Sequence, residues 1–351
     1  MKKSEFEDIA RHTFGDSEAW RRWFFSSVVT EDAIFTVPEV TGGAHAMATL
    51  LVQPYNILYM NARAKAGYIS YVATRKDARG HGYAARLMRK VVRRAFSDGL
   101  DFLTLVPASR HLYFFYDKFD FATAFYIDEE RYTSLQAFDG PEANVLEPRF
   151  EYWNRLEENF GTVVLHTKDD FDRMMTDQSF ESGHAEIAVE CDSAVAMLFA
   201  TWDDSKTDSV VTVKSLLAES EPAALAALRE LRSRVGERAM TVRRPPVSEM
   251  KAYLRPYGMA RIVNVESVLS ILAAANPDLR MRFRIYDPLI AENTAIFSIS
   301  SGKCNRSPWR EGSFDLDVRV DTLTSILFSS PKIGDIFNIP SRRPYMTMML
   351  D

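Results

Sequence analysis

The feature that most constrains this chain is an order of elements that occurs twice. From Ala33 onward, AIFTVPEV, AHAMATLLVQP and AGYISYVAT read as three successive antiparallel strands, rich in β-branched and aromatic residues and separated by TGG and NARAKAG. A basic loop and helix follow in RKDARGHGYAARLMRKVVRRAF, residues 75–96, then an apolar strand DFLTLVPAS, an aromatic helix RHLYFFYDKF and a strand FATAFYI. Further on, HAEIAVE, AVAMLFATW and DSVVTVKSLLA again read as strands, and EPAALAALRELRSRVG as a helix. AMTVRR is then a strand, VSEMKAYLRPY a helix and MARIVNV a strand, so that FYDKFDFATAF is answered by LRPYGMARIVN. The repeat lies in the pattern more than in the residues, and it predicts an α/β (α+β) chain built on two copies of one unit.

Other segments frame these copies. Phe6, Ile9, Ala10, Phe14, Trp20, Trp23, Phe24 and Val28 recur at helical spacing, broken at FGDS, where Asp16 or Ser17 can cap a second helix. AFDGPEANVLEP, residues 137–148, carries two prolines and a glycine without periodicity and marks a first boundary; helices are expected near 149–159 and 168–178. After AAANPDLR a small third piece of alternating strands and a helix begins. The division is therefore 1–138, 139–276 and 277–351. A net charge of −5 argues against a nucleic-acid binder, which needs a basic excess. Cys191 and Cys304 are too few for a disulfide framework and lack zinc-site spacing, so no metal is expected and a reducing cytoplasm is the natural setting. The start lacks the apolar run of a secretory signal, and no stretch approaches the roughly 18 apolar residues of a membrane span.

The loop at 75–84 holds the chemistry. A glycine-rich turn between strand and helix lets backbone N–H groups face a ligand, and the helix N-terminus adds partial positive charge that favours phosphate. Arg79, Gly82 and Ala84 satisfy R-x-x-G-x-A, with Gly80 also free of a side chain. Taken alone, the spacing fits a phosphate cradle and a plain tight turn equally. Ala85 stands where a dinucleotide fold needs its third glycine, and the preceding strands are antiparallel, which disfavours NAD. The second copy enters its helix through LLAESEPAAL, without these glycines. If glycine served only the connection, that copy would need it too.

With its neighbours in place, the stretch resembles the GNAT family, the Gcn5-related N-acetyltransferases. The resemblance implies acetyl-CoA as co-substrate. Val72, Ala73 and Thr74 in YISYVAT would lie along its pantetheine arm, and Arg79, Gly80, His81, Gly82, Tyr83 and Ala84 would hold its phosphates. LVPAS followed by FYDKFDF is similar to the family's later signature and puts Tyr116 on the tyrosine that protonates the departing thiolate. A catalytic copy, a degenerate copy and a small third domain resemble the Eis-like (enhanced intracellular survival) group. That group's third domain is similar to a sterol carrier protein, and IYDPLIAEN with FDLDVRVDTLTSILF fits its strands and helix. In that group the chain's terminal carboxylate is the general base, here the α-carboxylate of Asp351, with the oxyanion on the Val72 amide. The acceptor is a primary amine, of a small molecule or of a peptide lysine, and such large members assemble as homo-oligomers.

Three departures stand out: Asp120 replaces the glycine usual between the two aromatics, Asp77 brings an acid into the loop, and the family's first strand is missing or short. Other readings of single residues remain. Tyr116 also suits an aromatic core stripe, and His81 touches phosphate or faces solvent. Glu31, Asp32 and Glu39 are alternative bases or solvated surface. Met346, Met348 and Met349 line a pocket or pack a buried tail. The competing function is a non-catalytic protein that binds CoA or an apolar ligand.

Overall fold

Two amphipathic helices come first in the computed structural model, which describes residues 2–39, 45–139, 141–246, 254–328 and 344–350. Helix α1 (Lys2–Thr13) buries Phe6, Ile9 and Ala10, and α2 (Glu18–Ser27) buries Trp20, Phe24 and Phe25. Ser17 is the cap between them, its hydroxyl accepting from the Trp20 amide at 3.2 Å. Asp16 instead accepts the Tyr71 hydroxyl at 3.1 Å.

Strand β1 (Ile34–Pro38) pairs antiparallel with β2 (Ala46–Tyr59), and β2 with β3 (Ala62–Thr74). The TGG separator lies outside the described residues. NARAKAG, expected to separate two strands, is itself mostly strand: the hairpin turn contracts to Met60 and Asn61, both left-handed at φ 49° and 62°. Two left-handed central residues match the twist of the flanking strands, which lets both strands run on. Helix α3 (Tyr83–Ser97) crosses to β4 (Phe102–Leu105), which lies parallel to β3. Helix α4 (Arg110–Asp117) and β5 (Ala122–Tyr132) complete the first copy.

The chain next forms β6 (Asn144–Leu146), α5 (Phe150–Glu158), β7 (Thr162–Leu165) and α6 (Lys168–Gln178). Strand β6 lies inside the segment read as a boundary and pairs with β8 (Gly183–Cys191). Strands β8, β9 (Ala194–Trp202) and β10 (Val211–Ala218) are antiparallel neighbours; α7 (Glu221–Val235) leads to β11 (Met240–Arg244), parallel to β10. Three antiparallel strands, a helix and a parallel strand thus occur twice, and the chain is mixed α/β with this layout repeated.

The reading of VSEMKAYLRPY as a helix is corrected where it is described. Residues 247–253 lie outside the described residues, while Leu254 to Tyr257 begin β12 (Leu254–Ile262). Pro256 removes an amide and Gly258 disfavours a helix, and the following Met259–Ile262 are buried against β4. After α8 (Val265–Ala275) come β13 (Met281–Tyr286), β14 (Ala295–Ser300), β15 (Lys303–Ser307), β16 (Leu316–Arg319) and α9 (Val320–Leu327). The four strands form one sheet in the order β15-β14-β13-β16. No helix among the described residues is long and apolar enough to cross a membrane.

Two compact units result from interleaved segments: one from residues up to Phe125 and from Tyr257 through α9, the other from Tyr126 to Pro256 with residues 344–350. Within the first unit a buried charge cluster joins three parts of the chain. Arg261 on β12 is fully buried; it donates to the Phe119 carbonyl at 2.9 Å, the Ile262 carbonyl at 2.7 Å and Asp287 at 2.7 Å. Asp120 stands 3.8 Å from the same guanidinium and accepts from Arg319. Asp120 adopts φ 59°, so the position at which the resemblance implies a glycine holds one of the few residues that enter the left-handed region readily.

Replacing Arg261 with Met leaves Asp120 and Asp287 buried without their common partner. The variant is expected to lose about 3–5 kcal/mol in urea unfolding. A further Asp287→Asn change should restore part of that loss; strictly additive losses would show that the two side chains are not coupled.

Candidate active site

The site starts from a parting of strands. Strand β3 is paired with β4 from Ala66 to Ile69, opposite Phe102 to Leu105, and then runs on to Thr74 after β4 has ended. At that point β3 bulges: Leu51 faces Ser70 but Thr49 faces Ala73, so Tyr71 and Val72 together oppose a single residue of β2. Tyr71 takes the left-handed conformation, φ 52°, and its ring lies against Trp20 and Phe24 with centroids 6.1 and 4.9 Å away. The hydrogen bond to Asp16 completes this anchorage. Aromatic packing and one carboxylate therefore hold a strained residue beside Val72. Sequence reasoning missed Tyr71, because nothing in YISYVAT distinguishes a bulge from a regular strand.

Residues 72 and 73 face opposite ways, as strand alternation requires. Half-buried Val72 packs into an apolar cluster with Ala78, Tyr83, Leu87 and Tyr116, whereas buried Ala73 joins Ile9, Ala46 and Phe14. Val72, Tyr83 and Tyr116 thus belong to one apolar cluster. A short turn at Lys76–Ala78 leads to Arg79, whose Nε donates to the Thr74 carbonyl at 3.3 Å. His81 is exposed, its Nδ1 3.0 Å from the Arg79 carbonyl. Gly80 and Gly82 adopt φ 81° and 77°, and a β-carbon on either would meet no atom within 4 Å. Conformation, not crowding, demands glycine at both, and the space beside them is open.

Gly82 is also the residue at which α3 begins. It offers no capping side chain, and the first turn, with Tyr83 and Ala84, carries no acid. The corresponding α7 starts differently: the Ser220 hydroxyl accepts from the Ala223 amide at 3.3 Å, Pro222 lacks an amide, and Glu221 adds a carboxylate that Arg244 binds. Of the two equivalent helix N-termini, only that of α3 is left to an anion. Asp77, the acid in the loop, accepts two hydrogen bonds from Arg75, each 3.2 Å. That hydrogen bond and the charge beside it hold the Asp77 carboxyl below its usual range. Arg75 offsets the acid and is a second residue that the motif reading passed over.

Tyr116, near the end of α4, is buried between the rings of Phe115 and Phe121, 5.1 and 6.2 Å away. Burial pushes its hydroxyl up to about 12, so it stays protonated at any ordinary pH. Asp351 lies outside the described residues. Of the alternative bases, exposed Glu31 accepts the Lys3 amide at 3.3 Å. Asp32 borders a groove with Phe35, Val52, Pro54 and Val91, towards the far end of α3 from Gly82. Glu39 is half-buried.

The acetyltransferase (GNAT) domain family matches residues 1–124. Among curated proteins none matches the chain. Among solved structures, Eis1 from Mycobacterium abscessus is similar at a TM-score of 0.71 and 12% identity, covering 99% of this chain and 96% of that one. A GCN5-related N-acetyltransferase from Anabaena variabilis has a TM-score of 0.71 at 14% identity, covering 98% and 95%. Another from Kribbella flavida has 0.70 at 16% identity, covering 99% and 97%. At these identities the likeness is one of fold.

Gly82→Ala forces a β-carbon into a left-handed position and should cost about 1–2 kcal/mol of stability. It is also expected to weaken CoA binding by calorimetry. Gly302→Ala, at φ 71° in the turn after β14, is the control: similar strain, with CoA binding unchanged.

Proposed function

We propose, for a chain whose residues 1–124 carry a GNAT acetyltransferase domain and which is an N-acetyltransferase on that ground, a direct transfer from acetyl-CoA to a primary amine. The observation that carries this reading is the open, uncapped glycine entry to α3, whose first residue, Tyr83, shares an apolar cluster with buried, protonated Tyr116. The backbone of Val72 to Thr74 runs along pantetheine, and Arg79 to Ala84 hold the pyrophosphate. In the reaction the substrate ammonium gives one proton to the α-carboxylate of Asp351, and the neutral amine so formed attacks the thioester carbon. The Val72 amide donates to the oxyanion. As the carbon–sulfur bond breaks, sulfur leaves with the electron pair and takes the Tyr116 proton, and solvent reprotonates the phenolate. The adduct nitrogen gives its second proton to solvent as the adduct collapses; net, the ammonium loses two protons, one matched by the thiol of CoA and one released to solvent.

The reading extends to the Eis-like arrangement: residues 1–138 catalytic, 139–276 degenerate, and 277–351 sterol-carrier-like. The four-stranded sheet with its following helix supports the last. The acceptor is a small amine or a peptide lysine.

Tyr116→Phe should lower kcat by about 10²-fold while CoA affinity stays as in the parent. Full activity in that variant ends the assignment. Because burial holds Tyr116 near 12, log kcat should show no falling limb around pH 10; a limb there that Tyr116→Phe abolishes would mean the hydroxyl ionises normally. Thiol release measured with a panel of amines decides between transfer and binding alone, since a binder releases none.

A further inference from the structure

The described carboxy-terminal residues, 344–350, are buried throughout and belong to the second unit. They run parallel to β7. The Tyr345 amide donates to the Thr162 carbonyl at 3.0 Å, and the Val164 amide donates to the Tyr345 carbonyl at 3.4 Å. The Tyr345 hydroxyl lies 3.4 Å from that of Ser215, at the bulge of β10. Two residues on, the Thr347 hydroxyl donates to Glu157 Oε1 at 3.0 Å and stands 3.2 Å from His166 Nδ1. Glu157 and His166 pair at 2.6 Å with side chains 0% and 1% exposed, and the second Glu157 oxygen accepts the His166 amide at 3.0 Å. The imidazole also bonds the Met348 backbone.

A buried ion pair contributes little net stability, because the cost of desolvating both charges offsets their attraction; its best-attested use is to fix register. Here the pair meets Thr347 of a tail whose neighbouring side chains, Met346, Met348, Met349 and Leu350, are apolar and pack in many ways. Sliding the tail by one residue would set a methionine against the Glu157 carboxylate and cost that buried charge the hydrogen bond from Thr347. Only one register satisfies Glu157, His166 and Thr347 together.

We propose that Glu157, His166 and Thr347 are positioning residues, a latch that fixes the register of the carboxy-terminal segment and through it the terminal carboxylate. The catalytic consequence rests on the reading of that carboxylate as the general base. Burial alone would depress the imidazole, but the charge and hydrogen bond of Glu157 on α5, with Asp170 on α6 adding to them, leave His166 raised. A raised histidine stabilises fully below its ordinary value of about 6.5 and loses that contribution as pH climbs through its folded value. The latch therefore loosens towards alkaline pH.

The test uses the full-length chain with Thr347→Val and His166→Gln, digested with a carboxypeptidase and followed by intact mass, beside kcat and KM. The parent should resist trimming beyond Leu350, while both variants are trimmed into the tail about tenfold faster. Their kcat should fall on the order of 10- to 10²-fold, as a misplaced catalytic group does, with KM for acetyl-CoA unchanged. Melting of the parent should decline above about pH 6.5, and that slope should be absent in His166→Gln. Variants with unaltered trimming and unaltered kcat overturn the latch. Residues appended after Asp351 distinguish the two ideas: if they leave kcat unchanged, the base reading and the catalytic consequence fall, whereas faster trimming of Thr347→Val still reports the clamp.

Discussion

The first unit depends on the placement of one guanidinium. Arg261 is fully buried, so its donors must be met by the protein, and it donates to two backbone carbonyls and the carboxylate of Asp287, with Asp120 close by. Each partner comes from a different place. Phe119 and Asp120 make the turn after α4, Ile262 belongs to β12, and Asp287 follows β13. Satisfying the charge thus fixes the end of the Tyr116 helix, the strand against β4 and the small sheet relative to one another within that unit. Burial raises Asp120 while the two arginines oppose that shift. The cluster holds geometry more than it adds stability.

The two copies differ at the place proposed as the ligand site. Both bulge on the strand before the crossover helix, β3 after Ile69 and β10 after Val213, just where its pairing with the following parallel strand ends. The bulge and the strand parting therefore belong to the layout. What differs lies in the next few residues. In one copy, glycines in left-handed conformations leave the helix N-terminus open; in the other, serine, glutamate and proline close it. At Ser215 the second copy meets the chain's own Tyr345, so its strand beyond the bulge is packed by protein.

Much of this was legible in the sequence because strand runs and turn residues act locally. The helical hairpin, the three strands, the loop, the helices of the first copy and α7 of the second follow from periodicity and capping. What escaped reading depended on distant partners. Asn144–Leu146 becomes strand because β8 offers an edge, and Thr162–Leu165 is too short to announce itself. Asp120 looked like a defect until Arg261 and Arg319, more than a hundred residues away, came beside it. Tyr71 gave no signal at all, since its left-handed backbone is held by Asp16 and by rings on α2. Asp77 looked adverse only when read without Arg75 two residues earlier.

The acidity of Tyr116 bears on how the proposed acid works. A thiol has a reference value of about 8.5, and each pKa unit is worth about 1.4 kcal/mol. With Tyr116 held up to about 12, complete transfer of its proton to a free thiolate is uphill by roughly 5 kcal/mol. The proton therefore does not run ahead of bond breaking. A buried, protonated phenol instead offers a hydrogen bond that strengthens as negative charge gathers on sulfur, and a donor of that kind favours the transition state over the ground state. Burial that makes Tyr116 a poor acid in equilibrium terms also keeps it protonated and fixed in place. The same apolar cluster that buries Tyr116 also holds Val72 and Tyr83, two more residues of the proposed site.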